Sequence, residues 1–155
     1  MTTILYDHPN RKIAVDGRVS SRGMINTEKA EKWVKDGDDV WFICGPISDR
    51  RRLINHINAT DPEAPKWPIK CDAFLVRKNN VYLCTVTSEG EPSVSKLNYS
   101  HGIGSGGMFA LASLDHFDSV TAAVAYAATR DAETGGKMHV FDVAQMEFVV
   151  DSICF

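Results

Sequence analysis

Short apolar runs with strand-like patterns recur along the chain and predict several strands. Four of them form two hairpins, separated by the turn sequences DHPN and Asn79-Asn80: residues 3–6, 11–16, 73–78 and 81–87. Residues 40–44 (VWFIC) are continuously apolar and end at a Gly-Pro pair, which predicts a buried central strand. Residues 138–143 and 147–150 predict two further strands near the C-terminus.

Three segments have apolar residues at helical spacing. Residues 50–58 predict a short helix, and the Pro-rich stretch ATDPEAPKWP after it predicts a loop. Residues 107–116 follow the Gly-rich turn GIGSGG and predict a second helix. A third helix follows, with Asp118 or Ser119 as its N-cap.

The order of these elements predicts the fold class. Helices do not alternate regularly with strands, which disfavours a doubly wound parallel sheet. Two antiparallel sheets with helices outside them satisfy the order better, because they bury the apolar strands on both faces. We therefore expect an α+β protein with a four-layer αββα sandwich, formed as a single domain over residues 1–155.

Composition narrows the classes of function. The 155 residues have a formal net charge of −3, which gives no basic surface for nucleic acid and no polybasic patch for a membrane. We expect no signal peptide and find no apolar run near the ~20 residues that span a bilayer. The four cysteines share no short spacing and are typical of reduced, buried thiols in a cytoplasmic protein. The histidines show no metal-ligand spacing, so we expect no metal and no cofactor.

Four places carry candidate chemistry: Thr2, Asp16, GIGSGG at 102–107 and RDAETGG at 130–136. Each also has a purely structural interpretation. Asp16 fits a turn with Gly17, and the glycines of the two motifs fit tight turns and the end of a helix. Taken singly, none of them predicts a reaction.

Taken in order, these elements resemble the proteasome β-subunit family, including its HslV-type branch. The matching motifs are Thr-Thr-Ile at 2–4, Asp16-Gly17-Arg18, Cys44-Gly45, Gly104-Ser105-Gly106-Gly107 and Arg130-Asp131-Ala132-Glu133-Thr134-Gly135-Gly136. The resemblance extends from residue 2 to about residue 143. It implies an N-terminal nucleophile hydrolase that acts as a threonine peptidase.

The resemblance also implies roles for individual residues. Removal of Met1 would make Thr2 the nucleophile and its α-amino group the base. Asp16 would hold a lysine that stabilises the deprotonated hydroxyl. That lysine is Lys32 if it precedes an apolar residue as in the family, and Lys29 if one counts back from Gly45; we prefer Lys32.

The remaining roles complete the implied site. The N–H of Gly45 would form the oxyanion hole, and Ser105, Asp131 and Thr134 would orient the amine and a water. Val19, Ile43 and residues near Ile47 would line the substrate pocket, and their apolar character predicts cleavage after apolar residues.

The resemblance further implies a polypeptide substrate, a homo-oligomeric ring and an ATP-dependent unfoldase as partner. The alanine-rich helices over 107–116 and 119–130 are expected to contribute to the ring contact. The segment 46–72 is shorter than in the family, which normally has two long helices there. Two alternatives remain: a catalytically silent structural subunit, and an amidohydrolase that acts on a small amide.

Overall fold

A computed structural model describes residues 1–59 and 67–149 of the chain. Most of the predicted Pro-rich loop, Val150 and Cys154 lie outside the described residues. The described part is an α+β structure in which every strand pairing is antiparallel. No helix in it has both the length and the apolar character needed to cross a membrane.

The first sheet contains both chain ends of the described structure and has five strands. In spatial order these are β10 (His101–Gly104), β1 (Thr3–Asp7), β2 (Lys12–Val15), β11 (His139–Asp142) and β12 (Glu147–Phe148). β1 and β2 form the predicted N-terminal hairpin, with Ile4 opposite Val15. β1 is entirely buried and lies between β10 and β2, and Thr2, the residue directly before it, is also buried.

The second sheet also has five strands, in sequential order. They are β5 (Trp33–Asp36), β6 (Asp39–Cys44), β7 (Asp72–Arg77), β8 (Asn80–Val86) and β9 (Pro92–Lys96). The predicted buried strand is confirmed as β6. The β7–β8 turn consists of Lys78 and Asn79, both with positive φ, so the predicted turn Asn79-Asn80 was wrong by one residue.

Five strands were missed by the sequence analysis. Three of them are β5, β9 and β10, and the other two form the small hairpin β3 (Val19–Ser21) and β4 (Met24–Thr27). β4 and β9 are exposed along their whole length and therefore have no apolar alternation to detect. β10 occupies His101–Gly104 and overlaps the first three residues of the glycine-rich turn predicted at 102–107.

Residues 1–59 and 67–149 form three helices: α1 (Ile47–Asn58), α2 (Gly107–Ser113) and α3 (Val120–Ala128). Ser119 caps α3 by accepting a hydrogen bond from the Ala122 N–H. Of the two predicted caps, Asp118 and Ser119, the structure therefore has Ser119. The second helix was predicted to reach residue 116 but ends at Ser113. Beyond that point the N–H groups of Leu114 and Asp115 bond to carbonyls three residues back, which tightens the chain into turns.

Three apolar clusters form the core of the described part of the chain. One joins the two large sheets through side chains such as Ile4 and Val15 of β1 and β2 and Phe42 and Phe74 of β6 and β7. The second joins the first sheet to α2 and α3, and the third joins the second sheet to α1. Burial of each such side chain contributes roughly 1.5–3 kcal/mol.

The alanines of α2 and α3 are divided between the core and the surface. Ala110, Ala123 and Ala127 are fully buried against the first sheet, so most of the alanine stripe serves the protein's own core. The outer face of these helices instead exposes larger apolar side chains. They are Met108, Phe109, Phe117 in the loop between the helices, and Tyr126.

Candidate active site

A buried ion pair lies at the end of the N-terminal hairpin. Asp16 directly follows β2, Lys32 directly precedes β5, and both side chains have no exposed surface. The Lys32 Nζ donates to Asp16 Oδ1 at 2.8 Å. The backbone N–H groups of Thr3 and Gly135 also donate to the carboxylate, at 2.8 and 3.0 Å. The carboxylate therefore has several donors, which a buried charge needs in order to be tolerated.

Lys32 also reaches the start of the chain. Its Nζ lies 3.4 Å from the carbonyl oxygen of Met1, and that carbonyl carbon is bonded to the Thr2 nitrogen. Burial lowers the pKa of the Lys32 ammonium, and the neighbouring Asp16 carboxylate opposes this shift. The other candidate, Lys29, is exposed on the surface. Of the two lysines, only Lys32 contacts Asp16 among the described residues.

A second cluster combines the two glycine-rich motifs. The hydroxyls of Ser105 and Thr134 both donate to Asp131 Oδ2, at 2.7 and 2.6 Å. The Thr134 hydroxyl also lies 2.5 Å from the Thr3 hydroxyl. Burial acts to raise the pKa of Asp131, but the hydrogen bonds from Thr134 and Ser105 outweigh it and the pKa is lowered. Asp131 is therefore ionised at neutral pH.

Thr3 connects the ion pair to this cluster. Its N–H bonds to Asp16 and its hydroxyl bonds to Thr134, so both networks are attached to the residue after Thr2. Gly106 is required for this contact, because a Cβ there would lie 2.0 Å from the Thr3 hydroxyl oxygen. The glycines of the motif thus serve close packing around the chain start.

Gly45 directly follows β6. Its φ is +117°, and a Cβ at this position would lie 2.4 Å from the Lys70 carbonyl oxygen. Both the conformation and the lack of space demand glycine. Gly45 and Thr2 line one cavity of about 260 Å³.

The cavity differs in part from the predicted substrate pocket. Val19 and Ile47 line it, as predicted. Ile43 does not: its side chain is fully buried in the cluster between the second sheet and α1. Arg50, in the first turn of α1, lines the cavity instead, so the pocket predicted to be apolar has a charged side chain.

Three residues at the site were missed by the sequence analysis: Thr3, Arg50 and Glu133. The Glu133 carboxylate bonds to the Met1 ammonium at 3.1 Å and accepts from the Ser20 hydroxyl at 2.7 Å. Glu133 stands within the RDAETGG motif at a position to which no role was assigned. The second threonine of the Thr-Thr-Ile motif was available as a signal for Thr3.

The described residues contain no group of three or more His, Cys, Asp or Glu side chains placed to hold a metal ion. Cys44, Cys71 and Cys84 are buried free thiols, as predicted. Burial raises the pKa of Cys44 to about 11, so this thiol beside the cavity is neutral at pH 7.

Comparison with solved structures identifies the fold of the chain. HslV from Trypanosoma brucei superimposes with a TM-score of 0.66, over 90% of this chain and 97% of its own. This chain has the fold of HslV. The sequence identity to that HslV is only 17%. No protein-family model and no curated protein matches the sequence.

A second protein shares the HslV fold with this chain. Thiobacillus denitrificans BPH covers 97% of this chain and 100% of its own, with a TM-score of 0.67 and 16% identity. The structure of BPH in complex with epoxomicin gives a TM-score of 0.63, also at 16% identity. The HslV fold predicted from the motifs is thus confirmed, although few residues are shared.

Proposed function

We propose that the chain is a threonine peptidase whose nucleophile is Thr2 after Met1 is removed. The observation that carries the proposal is the buried Lys32 ammonium, held by Asp16 at 2.8 Å and lying 3.4 Å from the Met1 carbonyl oxygen. This buried ammonium lies beside the peptide group that contains the Thr2 nitrogen, and Thr2 itself lines the cavity. The HslV fold supports the same conclusion.

The nucleophile and its base belong to one residue. A free α-amino group has a pKa near 7.7–8.0, so a useful fraction is neutral at physiological pH. The adjacent Lys32 ammonium disfavours a second positive charge and therefore increases that fraction. The neutral Thr2 amine takes the hydroxyl proton as Oγ attacks the carbonyl carbon of the substrate.

The reaction then proceeds in two halves. The tetrahedral intermediate carries an oxyanion, which the Gly45 N–H stabilises in the proposed mechanism. The protonated amine gives its proton to the leaving nitrogen, and the acyl chain stays on the Thr2 oxygen as an ester. Water, activated by the same amine, hydrolyses the ester and restores the hydroxyl. Ser105, Asp131 and Thr134 hold the amine and this water in place.

Met1 blocks this chemistry while it remains attached. In the Met1-bearing chain the Thr2 nitrogen is an amide and cannot act as a base. The Met1 ammonium is bound by Glu133 in this state. Activity consequently requires a chain whose first residue is Thr2.

The architecture proposed for this peptidase is the four-layer αββα sandwich, within a single domain over residues 1–155. Its support is the set of three core clusters, one between the two large sheets and one on the outer side of each. The site then lies at one end of the central layers, where β1 begins and β6 ends.

The proposal is tested with protein prepared in two forms, one retaining Met1 and one beginning at Thr2, each verified by intact mass. Both are incubated with a reduced, alkylated and unfolded protein, and every cleaved bond is identified by mass spectrometry. We expect cleavage by the form that begins at Thr2 and none by the form that retains Met1.

The two alternatives predict different results. A silent structural subunit cleaves nothing in either form. An amidohydrolase releases the acid from small amides but leaves the unfolded protein intact. Either outcome would contradict the proposed peptidase.

We further propose that the peptidase works in the cytoplasm as a homo-oligomeric ring, with polypeptides delivered by an ATP-dependent unfoldase. A nucleophile that cleaves many peptides needs to be enclosed, and closed symmetry is the common arrangement of homo-oligomers. The exposed apolar side chains Met108, Phe109, Phe117 and Tyr126 support a contact surface on α2 and α3.

The ring is tested by size exclusion with light scattering at micromolar concentration. We expect a mass several times the 17.1 kDa of one chain. Phe109→Lys should reduce that mass, because a charge in an apolar contact is costly. Val94→Lys, at an exposed site on the edge strand β9, is the matched control and should leave the mass unchanged. A monomeric mass for active protein would contradict the ring.

A further inference from the structure

The cavity beside Thr2 has a cationic side chain that the peptidase chemistry does not use. Val19 and Ile47 give it apolar walls, and Arg50 supplies a guanidinium from the first turn of α1. The positive end of the α1 dipole lies at the same edge. A cavity of about 260 Å³ is large enough for one amino-acid side chain.

The charge of Arg50 is not neutralised within the described part of the chain. Its Nε is buried without a hydrogen-bond partner there, and its Nη1 makes only a long contact of 3.5 Å to the Glu31 carbonyl oxygen. The nearby thiols of Cys44 and Cys71 have pKa values that burial raises to about 11 and about 12. Both are therefore uncharged at pH 7 and offer Arg50 no negative partner.

Unlike Arg50, the next two arginines of α1 each have a carboxylate partner. Arg51 lies 3.6 Å from Asp36, and Arg52 donates to Asp49 at 2.7 Å. The chain thus provides carboxylates for two of its three consecutive arginines, while Arg50 is turned into the cavity. A partly desolvated guanidinium without a carboxylate is unfavourable unless a ligand supplies one.

We propose that Arg50 selects an acidic side chain, Asp or Glu, in the residue whose carbonyl Thr2 attacks. This inference rests on the proposed peptidase function. The side chain of that residue lies next to the nucleophile and is therefore the one that can enter the cavity. Its carboxylate would meet the planar guanidinium and form charge-assisted hydrogen bonds, while Val19 and Ile47 contact its methylene groups.

The first experiment compares peptides that are identical except for Glu, Gln or Leu at the residue before the cleaved bond. Glu and Gln have the same shape, so their ratio measures the charge alone. With protein that begins at Thr2, we expect kcat/KM for Glu to exceed that for Gln by on the order of 10- to 100-fold. Arg50→Met should lower the Glu rate to that of the Gln peptide.

Arg51→Met is the matched control, because Arg51 is the next residue of the same helix and its side chain is mostly exposed. This variant should retain the full ratio of Glu to Gln. A wild-type ratio near one, or a ratio that survives in Arg50→Met, would overturn the role of Arg50.

The second experiment separates failure of this inference from failure of the proposed function. All peptide bonds that are cleaved in an unfolded protein are identified by mass spectrometry. In this experiment the residue before the cleaved bond is not chosen in advance. Enrichment of Asp and Glu before the cleaved bonds would support the inference. Cleavage without that enrichment would overturn the inference alone, and no cleavage at any bond would overturn both.

Discussion

Replacing Thr2 by alanine in protein that begins at residue 2 is expected to reduce kcat/KM for peptide cleavage by on the order of 10⁴-fold or more. The variant keeps the α-amino base, Lys32 and the cavity but has no oxygen to attack the carbonyl. The hydroxyl of the neighbouring Thr3 is not expected to substitute, because it is bonded to that of Thr134. Cleavage is measured with a peptide chosen from the bonds that the wild-type protein cuts.

Thr2→Ser is the matched control for this prediction. It retains both the hydroxyl and the amine, so we expect it to keep measurable turnover while the alanine variant has none. Thermal unfolding of both variants verifies that the fold is intact. Equal activity in Thr2→Ala and wild type would eliminate Thr2 as the nucleophile and with it the proposed mechanism.

Lys32→Met is expected to lower kcat/KM by on the order of 10²–10³-fold, the usual effect of removing one preorganised electrostatic group. The ammonium lies 3.4 Å from the carbonyl oxygen of the peptide group that contains the Thr2 nitrogen. Asp16 still accepts from the Thr3 and Gly135 N–H groups in this variant, so the local structure has support. Lys29→Met changes an exposed side chain and should leave the rate unchanged. A larger loss of kcat/KM in Lys29→Met than in Lys32→Met would assign the catalytic role to Lys29 instead.

Replacing Asp16, the acidic member of the buried ion pair, tests the contribution of that pair to stability. Asp16→Ala leaves the buried Lys32 ammonium without its carboxylate and should lower the free energy of unfolding by about 3–5 kcal/mol. Loss of the carboxylate further lowers the pKa of Lys32, which burial already lowers. The unfolded chain then binds this proton more tightly than the folded chain, so the stability of the variant should rise with pH up to about 10. Chemical denaturation at several pH values measures the effect, and a pH-independent deficit would contradict it.

The sequence by itself determined the elements that have strong local signals. The N-terminal hairpin, the buried strand β6 and helix α3, with its cap at Asp118 or Ser119, follow from apolar period and capping, which act between near neighbours. The order of the motifs along the chain is informative and identifies the positions Thr2, Asp16, Ser105, Asp131 and Thr134. Their catalytic roles remain predictions.

Strands β4 and β9 could not be predicted from the same signals. Their side chains are exposed, and each is a strand only because its backbone pairs with a neighbour in space. The alanine stripe of α2 and α3 is visible in the sequence. Whether it packs against the protein's own sheet or against another subunit is not.

The tertiary structure alone decided between residues of identical chemistry. Lys29 and Lys32 are three positions apart, and only the path of the chain into β5 buries one of them against Asp16. Arg50 and Arg51 are adjacent, yet successive side chains of a helix point about 100° apart. The residue at which α1 begins therefore fixes which arginine faces the cavity. Such choices depend on contacts between segments far apart in sequence, and a local pattern contains no information about them.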